Sequence, residues 1–290
     1  MFCHMTDISV IVLVGQERIH LERCIEKLAA LEPSWIFLVE SQPDDGGIAI
    51  AKATAARLGL RLESRYNKWP GLHSRQFNWA LDNLPIDTTW VLRLDADEYL
   101  YPETCEEVRG LLVPGGLPAD TTSLSLSLSR VFCGRKIRFG GTAHIPMVRF
   151  FKYRIGRCEE RSMDEHIVTS EGRDYRLKGE FADHNLNSMD WWREKHRGYA
   201  RREAADALAF ARGELHFKPI KERYYRMPRY FRAFAYFAIR YFIKGGFLDG
   251  RAGWMWNFWQ GLWYRLIVDR EIGRLGAQST SNLPSGLSGR

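Results

Sequence analysis

Three short runs decide what this chain can fold into. Residues 8–14, 35–39 and 90–94 are aliphatic or aromatic almost without interruption, and the second and third stop at Glu40 and Asp95. Unbroken apolar runs of that length fit strands buried on both faces of a parallel sheet, since a half-solvated strand would alternate. Between them lie helix-period stretches. Leu21, Ile25, Leu28 and Ala29 share one face, and residues 48–58 and 75–84 read as helices, with a weaker strand at 61–64. Strands alternating with helices build an open, doubly wound, right-handed sheet. Further on the pattern changes. Leu124, Leu126 and Leu128 alternate with serines, which predicts a strand with one solvated face. Residues 148–153 and 175–177 add strands, and Ser188 can cap a helix over 189–211. The expected architecture is α/β: an open mixed sheet with a Rossmann-like first half and a C-terminal amphipathic helical extension.

Charge separates the extension from the body. Up to His216 there are 29 basic and 31 acidic residues, and from Phe217 to Arg290 there are 13 basic and 4 acidic. Seventeen aromatics also lie within 217–264, among them Trp254, Trp256, Trp259 and Trp263. A basic, aromatic tail on a near-neutral body suits an anionic surface. Arg229, Arg232, Arg240 and Lys244 fall on one face of a helix, the stripe expected to meet a membrane. No run reaches the ~18 apolar residues of a span. No basic leader precedes an apolar run, and the five cysteines contain no C-x-x-C pair, as in a reducing compartment. The sequence therefore predicts a cytoplasmic protein, peripheral on the inner face of a membrane. The expected divisions are 1–212 for the sheet domain (a first half to about 100, then a second half), 213–275 for the helical extension, and 276–290 for a disordered tail.

The chemistry concentrates at strand ends. Asp95, Asp97 and Glu98 place three carboxylates within four residues after a buried strand, where open α/β sheets bind ligands. Acids so close need a cation or a donor network, and Mg²⁺ or Mn²⁺ is held by one or two carboxylates plus substrate phosphates. A bare acidic turn is the other reading. Glu40, Ser41 and Asp45 with Gly46-Gly47 follow the second strand; they suit a base edge or ribose, or else a Pro-Asp-Gly turn with a capping acid. Gly71, Gln76 and Asn78 open a helix whose amides need partners if buried.

In this order the three pieces resemble the family 2 glycosyltransferases of GT-A fold, nearest the bacterial branch that builds lipopolysaccharide cores and exopolysaccharides. Gln16-Glu17 stand at that branch's Asn-Glu turn, and Asp95-Ala96-Asp97-Glu98 at its D-x-D metal motif. Departures are Gln16 for Asn and Gly47 for a Thr. The resemblance spans roughly residues 7–205. It implies a hexosyl-type transferase that moves sugar with inversion from a nucleotide-diphosphate sugar, a UDP-sugar being the expected donor, to a lipid-linked or lipopolysaccharide acceptor. It implies a Mn²⁺ or Mg²⁺ cofactor held by Asp97 and Asp95. Gln16, Glu17, Glu40, Ser41, Asp45, Gly71, Gln76, Asn78 and Asp95 would bind the donor. Glu165 or Asp164 would be the base that takes the acceptor proton. His184 either completes the metal shell or is an ordinary satisfied histidine. Two other readings are a sugar nucleotidyltransferase, for which Val14-Gly15-Gln16-Glu17-Arg18 is a poor phosphate loop, and a nucleic-acid-binding protein using the basic tail. The second leaves the acidic strand end unexplained, so no nucleic acid partner is expected.

Overall fold

A computed structural model describes residues 5–142, 145–160 and 165–281, with side chains to residue 278. The chain forms two compact units, Met1–Lys136 with Ala143–Leu186, and Ile137–Thr142 with Asn187–Arg290.

The first unit opens as the runs predict: β1 (Thr6–Val14), α1 (Arg18–Leu28), β2 (Pro33–Glu40), α2 (Gly47–Leu58), β3 (Leu62–Tyr66), α3 (His73–Asn83) and β4 (Trp90–Asp95). β5 (Glu98–Leu100), α4 (Pro102–Leu111), β6 (Thr121–Phe132), β7 (Arg135–Ile137), β8 (Ile145–Lys152), β9 (Gly156–Cys158), β10 (Ile167–Thr169) and β11 (Arg173–Asp183) follow. The main sheet runs β3-β2-β1-β4-β8-β6-β11-β5, with β7 beside β6 and a separate β9–β10 pair. β1 has parallel neighbours on both sides, β2 and β4, so helices can cover both its faces. Val10, Val12, Leu92 and Leu94 pack with Leu21 and Ile25 of α1 and Val108 of α4. Ile11, Leu13 and Val91 pack with Phe77, Ala80 and Leu81 of α3. Each such side chain contributes ~1.5–3 kcal/mol on full burial. Cys24, Cys105 and Cys158 lie in these cores as small hydrophobes.

Two features of the second half were not expected. The serine face of β6 is not solvated: Ser123, Ser125 and Ser127 are all buried. Ser123 and Ser125 donate to Asp174 of β11, and Ser127 accepts from Arg176. The sheet also curls. Only Ala96 and Asp97 separate β4 from β5, yet β5 pairs with β11 at the opposite end of the strand order, so the far edge returns to the end of β4.

The second unit is helical: α5 (Met189–Ala211), α6 (Pro219–Arg226), α7 (Phe231–Ala238), α8 (Gly250–Trp256) and α9 (Tyr264–Ser281). Wider π-type turns, Ile239–Ile243 and Asn257–Trp263, continue α7 and join α8 to α9. Gly245, at φ +70°, makes the expected break. The Ser188 hydroxyl accepts from the N–H of Trp191 and caps α5. The compact division falls after Leu186, and Ala200 of α5 is buried against Tyr264 and Val268 of α9. α9 runs to Ser281, past the expected start of the disordered tail at 276; residues 282–290 lie outside the described ones.

The cationic stripe is corrected here. Arg232 and Arg240 are each only 3% exposed. Arg232 is paired with buried Asp269 and donates to the carbonyl of Tyr225, and Arg240 donates to the carbonyl of Gly140. Arg229 and Lys244 are exposed, but of the four tryptophans only Trp254 is, with Trp256 buried and Trp259 and Trp263 partly covered. Among the described residues, no helix is long and apolar enough to cross a membrane.

Candidate active site

β4 delivers Asp95 to the carboxyl end of the sheet, and the two-residue turn carries Asp97 beyond it. Glu98, the third acid, belongs to the scaffold. It is buried, accepts the N–H of Asp95 at 2.9 Å, and is ion-paired with buried Arg149 of β8. Burial pushes its carboxyl above the ordinary range, against the pull of Arg149. The pairing of β5 with β11 sets Asp183 opposite Glu98 and brings the end of β11 beside Asp97. The side-chain amide of Asn185 donates to the Asp97 carboxylate at 3.0 Å, and the N–H of His184 donates to the Asp97 carbonyl at 3.0 Å. Asp183 also accepts from Arg130 at 2.7 Å. Burial first, then Asp183 and Asp95, push the Asp97 carboxyl up to about 6, with the Asn185 amide opposing.

One face of α1 fastens this assembly. His20 is fully buried, with Nδ1 2.6 Å from a Glu17 oxygen and Nε2 2.9 Å from the N–H of Leu186. Because Nε2 must accept there, the hydrogen-bond network assigns the ring proton to Nδ1, which donates to Glu17. Arg23 donates to the carbonyls of His184 at 2.6 Å and Asp97 at 3.3 Å. Glu17 is therefore a tie to the 184–186 segment, whereas Gln16 is exposed at the end of β1. The His184 imidazole stands 3.5 Å from the Tyr99 hydroxyl. Burial and Arg23 lower its pKa, with Asp183 opposing, which favours the neutral ring.

Glu165 is tied to β4 through Arg93. It accepts from Arg93 at 2.9 Å, and Arg93 lies on the same pleat face of β4 as Asp95, 5% exposed, with Cys158 and Phe77 around it. The one charge inside an apolar run is thus the link between the two acids. Asp164, the alternative base, lies outside the described residues.

Several expected donor-binding groups are already engaged. Both oxygens of Asp45 accept backbone N–H groups, of Arg18 and Gly47, and Asp44 accepts those of Gly46 and Ile48. Ser41 bonds the carbonyl of Val14 through its N–H and its hydroxyl. Gln76 is buried and ties Asn67 to the carbonyl of Glu40. Asn78 bonds both backbone groups of Cys158. Gly71 is exposed at φ +90°. Glu40 lies at the end of β2, pushed up by burial and Asp44. Arg23, Arg93, Arg130 and Asn185 were not anticipated from sequence. Only Arg93 left a signal, as a charge in a buried strand, since the partners of the others are distant in the chain.

Among the described residues no group of three or more His, Cys, Asp and Glu is arranged to hold a metal ion, so Asp95, Asp97 and His184 do not form a closed set. Asp97, however, is half-buried beside two further carboxylates whose charge raises its pKa. Such a donor set fits a hard cation shared with phosphate oxygens, which asks only one or two carboxylates of the protein.

Neither a protein-family model nor a curated protein sequence matches the chain. Among solved structures, the mannosyltransferase PcManGT from Pyrobaculum calidifontis, in complex with GDP-Man and Mn²⁺, is similar over 93% of this chain and 87% of its own, at 14% identity and TM-score 0.50. TarS of S. aureus, residues 1–349, is similar over 95% of this chain and 92% of its own, at 13% identity and TM-score 0.44. The first likeness is one of fold: the chain has the α/β fold of GT-A-type glycosyltransferases.

Proposed function

We propose that the protein is a family 2-like, inverting, metal-dependent glycosyltransferase, moving a hexose from a nucleotide-diphosphate sugar to a lipid-linked or membrane-bound glycan in lipopolysaccharide or exopolysaccharide synthesis. The observation that carries the reading is the juxtaposition of Asp95 and Asp97 with Asp183 at the carboxyl end of the sheet, with Glu165 joined to the same strand through Arg93. Asp95 and Asp97 would hold Mn²⁺ or Mg²⁺, which supplies stabilisation of the charge developing on the diphosphate leaving group. Arg93 orients Glu165, which takes the acceptor proton as the hydroxyl attacks. Asn185 and the Arg23 contacts keep Asp97 in place. A structure of this fold that binds GDP-Man with Mn²⁺ supports a nucleotide-sugar donor and that metal; a UDP-sugar remains the donor we propose. The sheet unit carries the chemistry, and the basic helical unit keeps the protein peripheral on an anionic membrane, at the cytoplasmic face of the inner membrane.

The test is thermal stabilisation by a panel of nucleotide sugars with and without Mn²⁺. Wild type should be stabilised by one donor class only when Mn²⁺ is present. Asp97→Ala should fold and lose that response. Unchanged Mn²⁺-dependent stabilisation and turnover in Asp97→Ala would refute the assignment.

A further inference from the structure

α7 and the turn that continues it have two opposed faces, and they are reversed from what amphipathic patterning predicts. Arg232, Ala233 and Arg240 are buried, while Phe231, Phe234 and Phe242 are 62, 55 and 61% exposed and Ile243 is 81% exposed. Positions 231, 234, 238 and 242 follow one another at steps of 3, 4 and 4, so the phenylalanines form one outward stripe. The break after Gly245 adds exposed Phe247 and Leu248. Scattered apolar residues are normal on a surface, but a run of large ones in one short segment marks an interaction site.

The charges around the stripe say what covers it. Arg223, Arg226, Arg229, Lys244 and Arg251 are exposed in the same unit. The acids nearby are engaged. Asp249 accepts the N–H groups of Arg138 and Phe139, Asp269 is buried on Arg232, and Glu222 lies beside Arg226. An apolar stripe flanked by exposed cations, of which Arg226 is paired with Glu222, complements a surface with an anionic rim and a hydrocarbon interior.

We propose that this face inserts into the headgroup boundary of an anionic phospholipid bilayer, with Phe231, Phe234, Phe242, Ile243, Phe247 and Leu248 entering and the exposed cations remaining at the phosphates. The inference rests on the membrane-associated reading above and changes its agent: the apolar residues carry the attachment, and Arg232 and Arg240 only hold the helix in shape. Attachment then has a salt-resistant part, because apolar burial is not screened.

The experiment is sedimentation of the full chain with vesicles of equal parts phosphatidylcholine and phosphatidylglycerol, and with phosphatidylcholine alone. Wild type should bind the mixed vesicles, more weakly the neutral ones, and keep part of its binding as salt rises. Each half-exposed phenylalanine that becomes buried contributes about tenfold in partitioning, so Phe234→Ser with Phe242→Ser should lower binding about a hundredfold. Ile243→Ser gives an independent reading, with melting temperatures confirming that each variant folds. A double variant that binds like wild type would overturn the proposal and leave membrane association standing. Wild type that binds neither vesicle would overturn both. A wild-type dimer dissolved by the double variant, without vesicle binding, would mean that a second copy covers the face.

Discussion

Replacing Asp269 by alanine tests whether the tail's arginines belong to the interior. The Asp269 side chain is 1% exposed and that of Arg232 3%. Asp269 accepts from Arg232 Nε at 2.8 Å and from the N–H of Tyr230 at 2.7 Å, and is also paired with Arg232 Nη2. Its removal leaves a guanidinium buried with no counter-charge, and breaking a buried pair from one side costs ~3–5 kcal/mol. A helical unit of this size shifts by ~4–8 °C per kcal/mol, so Asp269→Ala should lower its melting temperature by more than ~10 °C in circular dichroism melts. Arg229→Ala, at an exposed position, should stay within ~0.5 kcal/mol of wild type. Arg232→Met combined with Asp269→Leu should cost less than Asp269→Ala alone, since no charge is then stranded. The reasoning is refuted if Asp269→Ala melts within a few degrees of wild type, or if Arg229→Ala is equally damaging.

Glu165→Gln should keep Mn²⁺-dependent donor binding yet lose transfer by ~10²–10⁴, read from single-turnover rates; near-normal transfer would place the base elsewhere. In the helical unit, burial pushes the Glu203 carboxyl up, but Arg265, the Tyr264 hydroxyl, Lys221 and the Tyr225 hydroxyl together bring it below the ordinary value of 4.5. A depressed folded pKa contributes stability present above the unfolded value and lost as pH falls through the folded one. Melts should therefore show wild type losing stability on acidification below about 4.5, while Glu203→Gln starts lower and loses less over that window.

What was legible in the sequence was what periodicity controls. β1, β2 and β4 are readable because strands buried on both faces have no solvated face to break the apolar run. α5 was readable from its serine cap. The acidic turn followed from its place after β4. What was not legible depends on partners far away in the chain. Arg232 pairs with Asp269, 37 residues on, a partner the helical spacing of the stripe does not reveal. The β6 serines looked solvated because Asp174 lies about 50 residues on. The backbone partners of Gln76 and Asn78, residues 40, 67 and 158, are set by the fold and leave no mark in the sequence. In the acidic turn, composition could not separate Glu98 from Asp97. One is held by Arg149 inside the sheet and the other stands beyond it.

The curl of the sheet also orders events in time. β1 to β4 and the acidic turn all lie within the first 98 residues, yet Asn185, which meets Asp97, comes 88 positions later. During synthesis the first half can collapse on its own local βαβ contacts, while the acids wait for β11. Closing so long a loop carries an entropy penalty that only the finished β6–β11–β5 ladder offsets. A nascent or clipped chain ending before Asp183 would hold the first half of the sheet with its carboxylates unbraced. The donor binding proposed above would then report completion of the fold, appearing only once β11 has left the ribosome and paired with β5.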